Sequence, residues 1–156
     1  MSESTLTAFE DVASLERAVG AGPFYSPWIT VTQKMIADFA EVTGDRQWIH
    51  LDVERAKRES PFGTTVAHGF LTLSLLSQMI AGAIAFPKAK MGVNYGFERV
   101  RFISPVPAGA EIRGAFTLQD VKPADSGVQL AWGVEVAARD AAKPALAAVW
   151  LSRIVM

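Results

Sequence analysis

The chain has 156 residues, 50% of them hydrophobic and 20% charged, and a net charge of −1. That length fits one domain with its own core, and the lack of a basic excess argues against nucleic acid or an anionic membrane as partner. With no cysteine, disulfides, thiolate catalysis and a cysteine-type zinc site are excluded.

The first residues, Met1 to Thr5, are polar and acidic. They lack the basic segment and apolar run of a signal peptide, which points to the cytoplasm. Residues 1–25 read as a helical extension. Its amphipathic helix runs from Thr7 to Val19, with Phe9, Val12, Leu15 and Val19 at three- and four-residue steps. Gly20-Ala21-Gly22-Pro23 ends it. A brief strand is expected over Pro27–Val31.

Thr32 is suited to cap a helix carrying Met35, Ile36, Phe39, Ala40 and Val42, and Gly44 to stop it. Asp45 to Leu51 then reads as irregular chain. Asp52 caps a short charged helix, Val53 to Glu59, and Ser60 to Thr65 form a loop. Ala67 to Phe86 is apolar around most of its circumference, which predicts one continuous helix buried in the core and ended by Pro87. Its hydroxyls and Gly82 make it too short and too polar to span a bilayer.

The second half changes period. Val100–Ile103, Glu111–Val121, Val128–Ala138 and Ala145–Val155 are rich in β-formers and alternate, with turn signals at Pro105–Gly109, Pro123–Gly127 and Asp140–Pro144. Short connections make such strands antiparallel neighbours. The buried helix is the cover their apolar face needs, which gives a single α+β domain over 1–156.

Two segments carry chemistry. Gly44-Asp45-Arg46-Gln47-Trp48-Ile49-His50-Leu51-Asp52 sets a carboxylate five residues before one of only two histidines. A carboxylate and an imidazole held together can move the protons of one water. Val66-Ala67-His68-Gly69-Phe70 lies where a loop enters the long helix. The first-turn N–H groups there lack intrahelical partners, and Gly69 lets a ligand oxygen approach them. His68 reads first as a structural histidine, since one imidazole suffices for the chemistry, and otherwise as a pocket-lining residue. His50 and His68 sit in separate segments without helical i, i+4 spacing, so no metal is expected. Thr72 and Ser74 are expected to bond back to the preceding turn. Ser77 lies roughly on the Gly69 side of the helix. Asn94 and Tyr95 are candidates for a pocket mouth.

Together these two segments resemble the MaoC-like dehydratases, the group of (R)-specific enoyl-CoA hydratases, and within it the nodulation-protein-N-like branch that reads Gln47-Trp48-Ile49-His50. The similarity runs from about Trp28 to the C-terminus. It implies a hotdog fold, an antiparallel sheet wrapped around a long central helix, assembled as a homodimer. It implies Asp45 and His50 as catalytic dyad, Gly69 as the N–H that binds the thioester oxygen, and Ser77 as a supporting serine. The commoner motif has Asn-Pro where this chain has Gln47-Trp48, so Trp48 reads as an altered pocket wall. The implied activity is reversible hydration of a trans-2-enoyl-CoA to an (R)-3-hydroxyacyl-CoA, with coenzyme A as substrate carrier and no metal or redox cofactor. A hotdog thioesterase and a non-catalytic acyl-binding module are the alternatives.

Overall fold

The computed structural model describes residues 5–156. In chain order the elements are β1 (Thr7–Ala8), α1 (Val12–Arg17), β2 (Phe24–Tyr25), β3 (Ile29–Thr30), α2 (Gln33–Thr43), α3 (Trp48–Leu51) and α4 (Val53–Glu59). There follow α5 (Gly69–Ser74), α6 (Leu76–Ala83), β4 (Ile84–Ala85), β5 (Met91–Phe102), β6 (Glu111–Ala124), β7 (Gly127–Ala138) and β8 (Leu146–Val155).

The main sheet has the order β2-β6-β7-β8-β5, with β3 also pairing β6. All its pairings are antiparallel. Alternation decides which face is buried. Along β8, Leu146, Ala148, Trp150, Ser152 and Ile154 turn inward, and Val128, Leu130, Trp132, Val134 and Val136 do so along β7. They meet Leu71, Leu76, Met79 and Ala83 of α5 and α6, so the helix packs on the buried face of the sheet within one hydrophobic core. Each fully buried aliphatic side chain there stabilises the fold by roughly 1.5–3 kcal/mol.

The caps of α2 follow the sequence. Thr32 accepts a hydrogen bond from the Met35 N–H at 3.1 Å, and Gly44 takes φ 76°, the left-handed conformation a side chain resists. Asp52 caps α4 through the Arg55 N–H at 2.9 Å.

Four expectations need correction. The extension holds a strand and one six-residue helix, Val12–Arg17, in place of a helix over Thr7–Val19. Asp11 forms a capping box with Ser14 and starts the helix late. The stretch before it pairs in parallel with β4. The central helix is divided at Leu75 and stops at Ala83, because Ile84 and Ala85 are held in that parallel pair. It is open on one side: Phe70, Ser74, Ser77, Gln78 and Ala81 are exposed. Asp45–Leu51 contains a turn of helix, Trp48–Leu51, where irregular chain was expected. Finally, β5 begins at Met91, not Val100, so the strand is much longer than the expected Val100–Ile103. It forms an edge of the sheet and is exposed nearly throughout, so the alternation that reveals a half-buried strand is missing.

Among the described residues no helix is long and apolar enough to cross a membrane.

Candidate active site

The segment between α2 and α4 brings the dyad together. Gly44 ends α2, so Asp45 leaves it at an exposed bend, and the single turn α3 carries His50 inward until it is 7% exposed. His50 Nδ1 lies 2.7 Å from the Val66 carbonyl oxygen. A carbonyl only accepts, so Nδ1 carries the hydrogen and Nε2 keeps a free lone pair. Gln33 holds the same residue by its backbone, donating from Nε2 to the His50 carbonyl at 2.7 Å. The Thr65 hydroxyl donates to Gln33 Oε1 at 2.5 Å, and the Val66 N–H to the Ile49 carbonyl at 3.1 Å. The loop 65–66 and the start of α2 thus grip both sides of α3.

His68, read as structural or pocket-lining, belongs to this cluster. Its ring stacks on that of His50, centroids 3.8 Å apart and planes at 24°, with Phe39 at 5.0 Å on its other contact. Its Nε2 lies 2.9 Å from the Asp45 carbonyl oxygen. A carboxylate oxygen of Asp45 and one ring nitrogen from each histidine lie within 4.8 Å of one another. Such a trio can hold a divalent ion, but two of its four ring nitrogens already face carbonyls. Near-parallel rings also direct their in-plane lone pairs side by side instead of toward one point. This suits the handling of a proton better than tetrahedral coordination.

Gly69 opens α5 directly after His68, and its N–H finds no acceptor among the described residues. It lines a cavity of about 230 Å³ with Phe62, Thr72, Phe102 and Val106. A Cβ at 69 would meet the Phe102 ring at 2.9 Å, so a larger residue fits only if that ring moves.

Ser77 lies elsewhere along the helix, in a groove between α6, β5 and β8. Two cavities of about 420 and 200 Å³ meet there and share Ser77, Asn94 and Trp150. Most of the remaining lining is apolar, including Ile80, Ile84, Phe86, Val93 and Phe97. Ser74 bonds back to the Phe70 carbonyl at 2.7 Å, as expected of a helical hydroxyl. Asn94 thus lines a cavity. Tyr95 lines neither of these two cavities; its ring lies under the Arg153 guanidinium at 3.7 Å. Trp48 is covered by the Arg55 guanidinium at 4.1 Å and lines none of these cavities.

Sequence reasoning missed Gln33, Thr65 and Val66. Their roles run through a polar side chain on α2 and a backbone carbonyl, which no local spacing announces.

Known proteins share this framework. The family model of the MaoC-like domain matches residues 14–139. Nodulation protein N of Rhizobium meliloti is 47% identical over 93% of this chain and 89% of its own. The 3-hydroxyacyl-thioester dehydratase Z of Mycobacterium tuberculosis is 42% identical over 96% of this chain and 99% of its own. Among solved structures, the monoamine oxidase regulatory protein of Archaeoglobus superposes with a TM-score of 0.74 at 24% identity, covering 97% of this chain and 96% of that one. The unliganded R-hydratase PhaJ1 of Pseudomonas aeruginosa does so with a TM-score of 0.69 at 25% identity, covering 88% of this chain and 81% of that one. The expected hotdog architecture is the architecture of this chain, and the chain belongs to the MaoC-like dehydratase family.

Proposed function

We propose that the protein is an (R)-specific enoyl-CoA hydratase, a hydro-lyase that reversibly adds water to a trans-2-enoyl-CoA. The observation that carries this reading is that a ring nitrogen of His50 and a carboxylate oxygen of Asp45 lie within 4.8 Å of each other, while the Val66 carbonyl takes the Nδ1 side of the ring. One water bridges two groups up to about 5.5 Å apart through two ordinary hydrogen bonds. The 4.8 Å spacing of the cluster falls within that reach.

In the hydration direction the substrate thioester oxygen lies at the Gly69 N–H. The dyad holds water over the double bond and accepts its proton as oxygen attacks C3. Negative charge moves onto the thioester oxygen, where the unpaired N–H at the helix start stabilises it. The dyad then returns a proton to C2 on the same face, so addition is syn. No step runs through a metal or a redox group. The largely apolar groove between α6 and β5 suits the acyl chain, and Ser77 stands in its wall. Names among the relatives, a thioester dehydratase and an R-hydratase, support the same chemistry.

The reading includes a cytoplasmic homodimer. The exposed edge β5, with Met91, Val93, Tyr95 and Phe97 uncovered, is the kind of surface a second copy closes.

The assay is consumption of crotonyl-CoA with chiral analysis of the product and a thiol-reactive dye in parallel. Formation of (R)-3-hydroxybutyryl-CoA without free thiol is expected. Thiol release alone would make the protein a thioesterase, and no turnover of any graded-length enoyl-CoA would favour an acyl-binding module.

A further inference from the structure

His50 and His68 lie against each other, yet the groups they face differ. His50 presents Nδ1 to the Val66 carbonyl. His68 presents Nε2 to the Asp45 carbonyl. Each carbonyl can only accept, so each ring must carry its hydrogen at the nitrogen that faces one. The stacked imidazoles therefore hold opposite tautomers. His50 keeps Nε2 as its free lone pair. His68 keeps Nδ1, which is fully buried and touches no polar partner. The whole residue is 3% exposed.

We infer that His68 is a positioning residue that ties the backbone of Asp45 to the start of α5, and that it takes no part in proton transfer. The inference rests on the hydratase reading of the dyad. Its physical logic is that Asp45 sits on exposed chain between a helix stop and a single helical turn. The other local bonds of Asp45 are long: its N–H to the Thr43 hydroxyl at 3.3 Å and its carboxylate from the Gln47 N–H at 3.4 Å. The 2.9 Å bond from His68 is the shortest of the three and the only one reaching outside the segment. It joins Asp45 to the residue directly before Gly69, so carboxylate and thioester-binding N–H are fixed relative to each other through one side chain. The stacked ring meanwhile holds the face of His50, leaving its Nε2 one direction in which to point.

Two substitutions separate the tether from the stack. His68→Phe keeps a flat ring against His50 and removes the donor. His68→Gln keeps an N–H of similar reach and removes the ring. With crotonyl-CoA, His68→Phe should lower kcat by about 100-fold with KM little changed, because a misplaced reacting group costs about that much. His68→Gln should recover much of the loss. Hydrogen exchange of the amides at 44–50 should quicken in His68→Phe and stay near wild type in His68→Gln. Nitrogen-15 NMR of the imidazoles in the wild-type protein, which needs neither variant to fold, should show Nε2–H on His68 and Nδ1–H on His50. An Nδ1–H or doubly protonated His68 at neutral pH would overturn the inference. So would a His68→Phe protein with unchanged exchange and kcat. If wild type hydrates no enoyl-CoA while the tautomers and exchange are as expected, the tether stands and the hydratase reading falls.

Discussion

The Val66 carbonyl oxygen sits 2.7 Å from Nδ1 of His50, and this one contact decides which nitrogen of the candidate base is free. Val66 is held in turn by the core edge: it bridges to Pro107, and the next N–H, of Ala67, bonds the Val106 carbonyl at 2.8 Å. The orientation of a reactive imidazole is thereby set by backbone, which side-chain substitution does not remove.

The dyad should act as a unit. Asp45→Asn and His50→Gln are each expected to lower kcat for crotonyl-CoA by roughly 10²–10⁴-fold. The double variant should be little worse than the poorer single one. Steady-state kinetics on the four proteins checks this; fully additive losses would show that the two residues do not share one water.

Gln33 should matter although it lies 17 residues from His50 in sequence. Gln33→Leu leaves the His50 carbonyl and the Thr65 hydroxyl without their partner. A stability loss of about 1–3 kcal/mol is expected. In a chain of this size that lowers Tm by several degrees, readable by calorimetry. Gln33→Glu, which keeps the acceptor but loses the donor, should fall between.

At Gly69 the effects on stability and activity should part. In Gly69→Ala the new methyl meets the Phe102 ring, but that ring is 50% exposed and can swing away. Tm should move little, whereas kcat/KM should fall on the order of 10–100-fold as the thioester is displaced. Adding Phe102→Leu should restore any lost stability and leave activity low. Full activity in Gly69→Ala would remove that N–H from the mechanism.

The edge of the sheet gives a test of assembly. Sedimentation at micromolar concentration should show a dimer for wild type. The Met91→Lys/Val93→Lys double variant should shift it toward monomer, since lysines blunt an exposed edge. A wild-type monomer would end that part of the reading.

One acid-dependent change is expected far from the site. The Asp11 carboxyl is held below its ordinary value of 3.8, first by the Ser14 N–H and then by the Ser14 side chain. Its capping contribution is complete above the unfolded value and is lost as pH falls through the folded one. Amide exchange at Ser14 should quicken below about pH 3.8 in wild type. In Asp11→Asn, whose cap does not titrate, it should lack that step.

Local chemistry was readable from the sequence, and contacts between distant residues were not. The caps Thr32, Gly44 and Asp52 lie within a few residues of the groups they bond, and β6 to β8 alternate because one face is buried. The Asp45–His50 spacing was visible for the same reason. The place of His68 beside Asp45 was not legible because its partner is a carbonyl 23 residues away. The break at Leu75 and the long exposed β5 were missed because neither interrupts or repeats an apolar pattern. The stop of the helix at Ala83 and the length of β5 are set by the pairing of β1 with β4 and of β5 with β8.

The short parallel pair of β1 and β4 reaches further than its two residues a side suggest. Ile84, in β4, and Phe86 just beyond it line the groove between α6 and β5, and Phe9 stacks on Phe86 at 6.2 Å while its N–H bonds the Ala85 carbonyl. The first turns of the polypeptide thus brace one end wall of that groove. Exchanging residues near position 9 would reshape that end wall of the groove from a part of the chain far removed from Asp45 and His50.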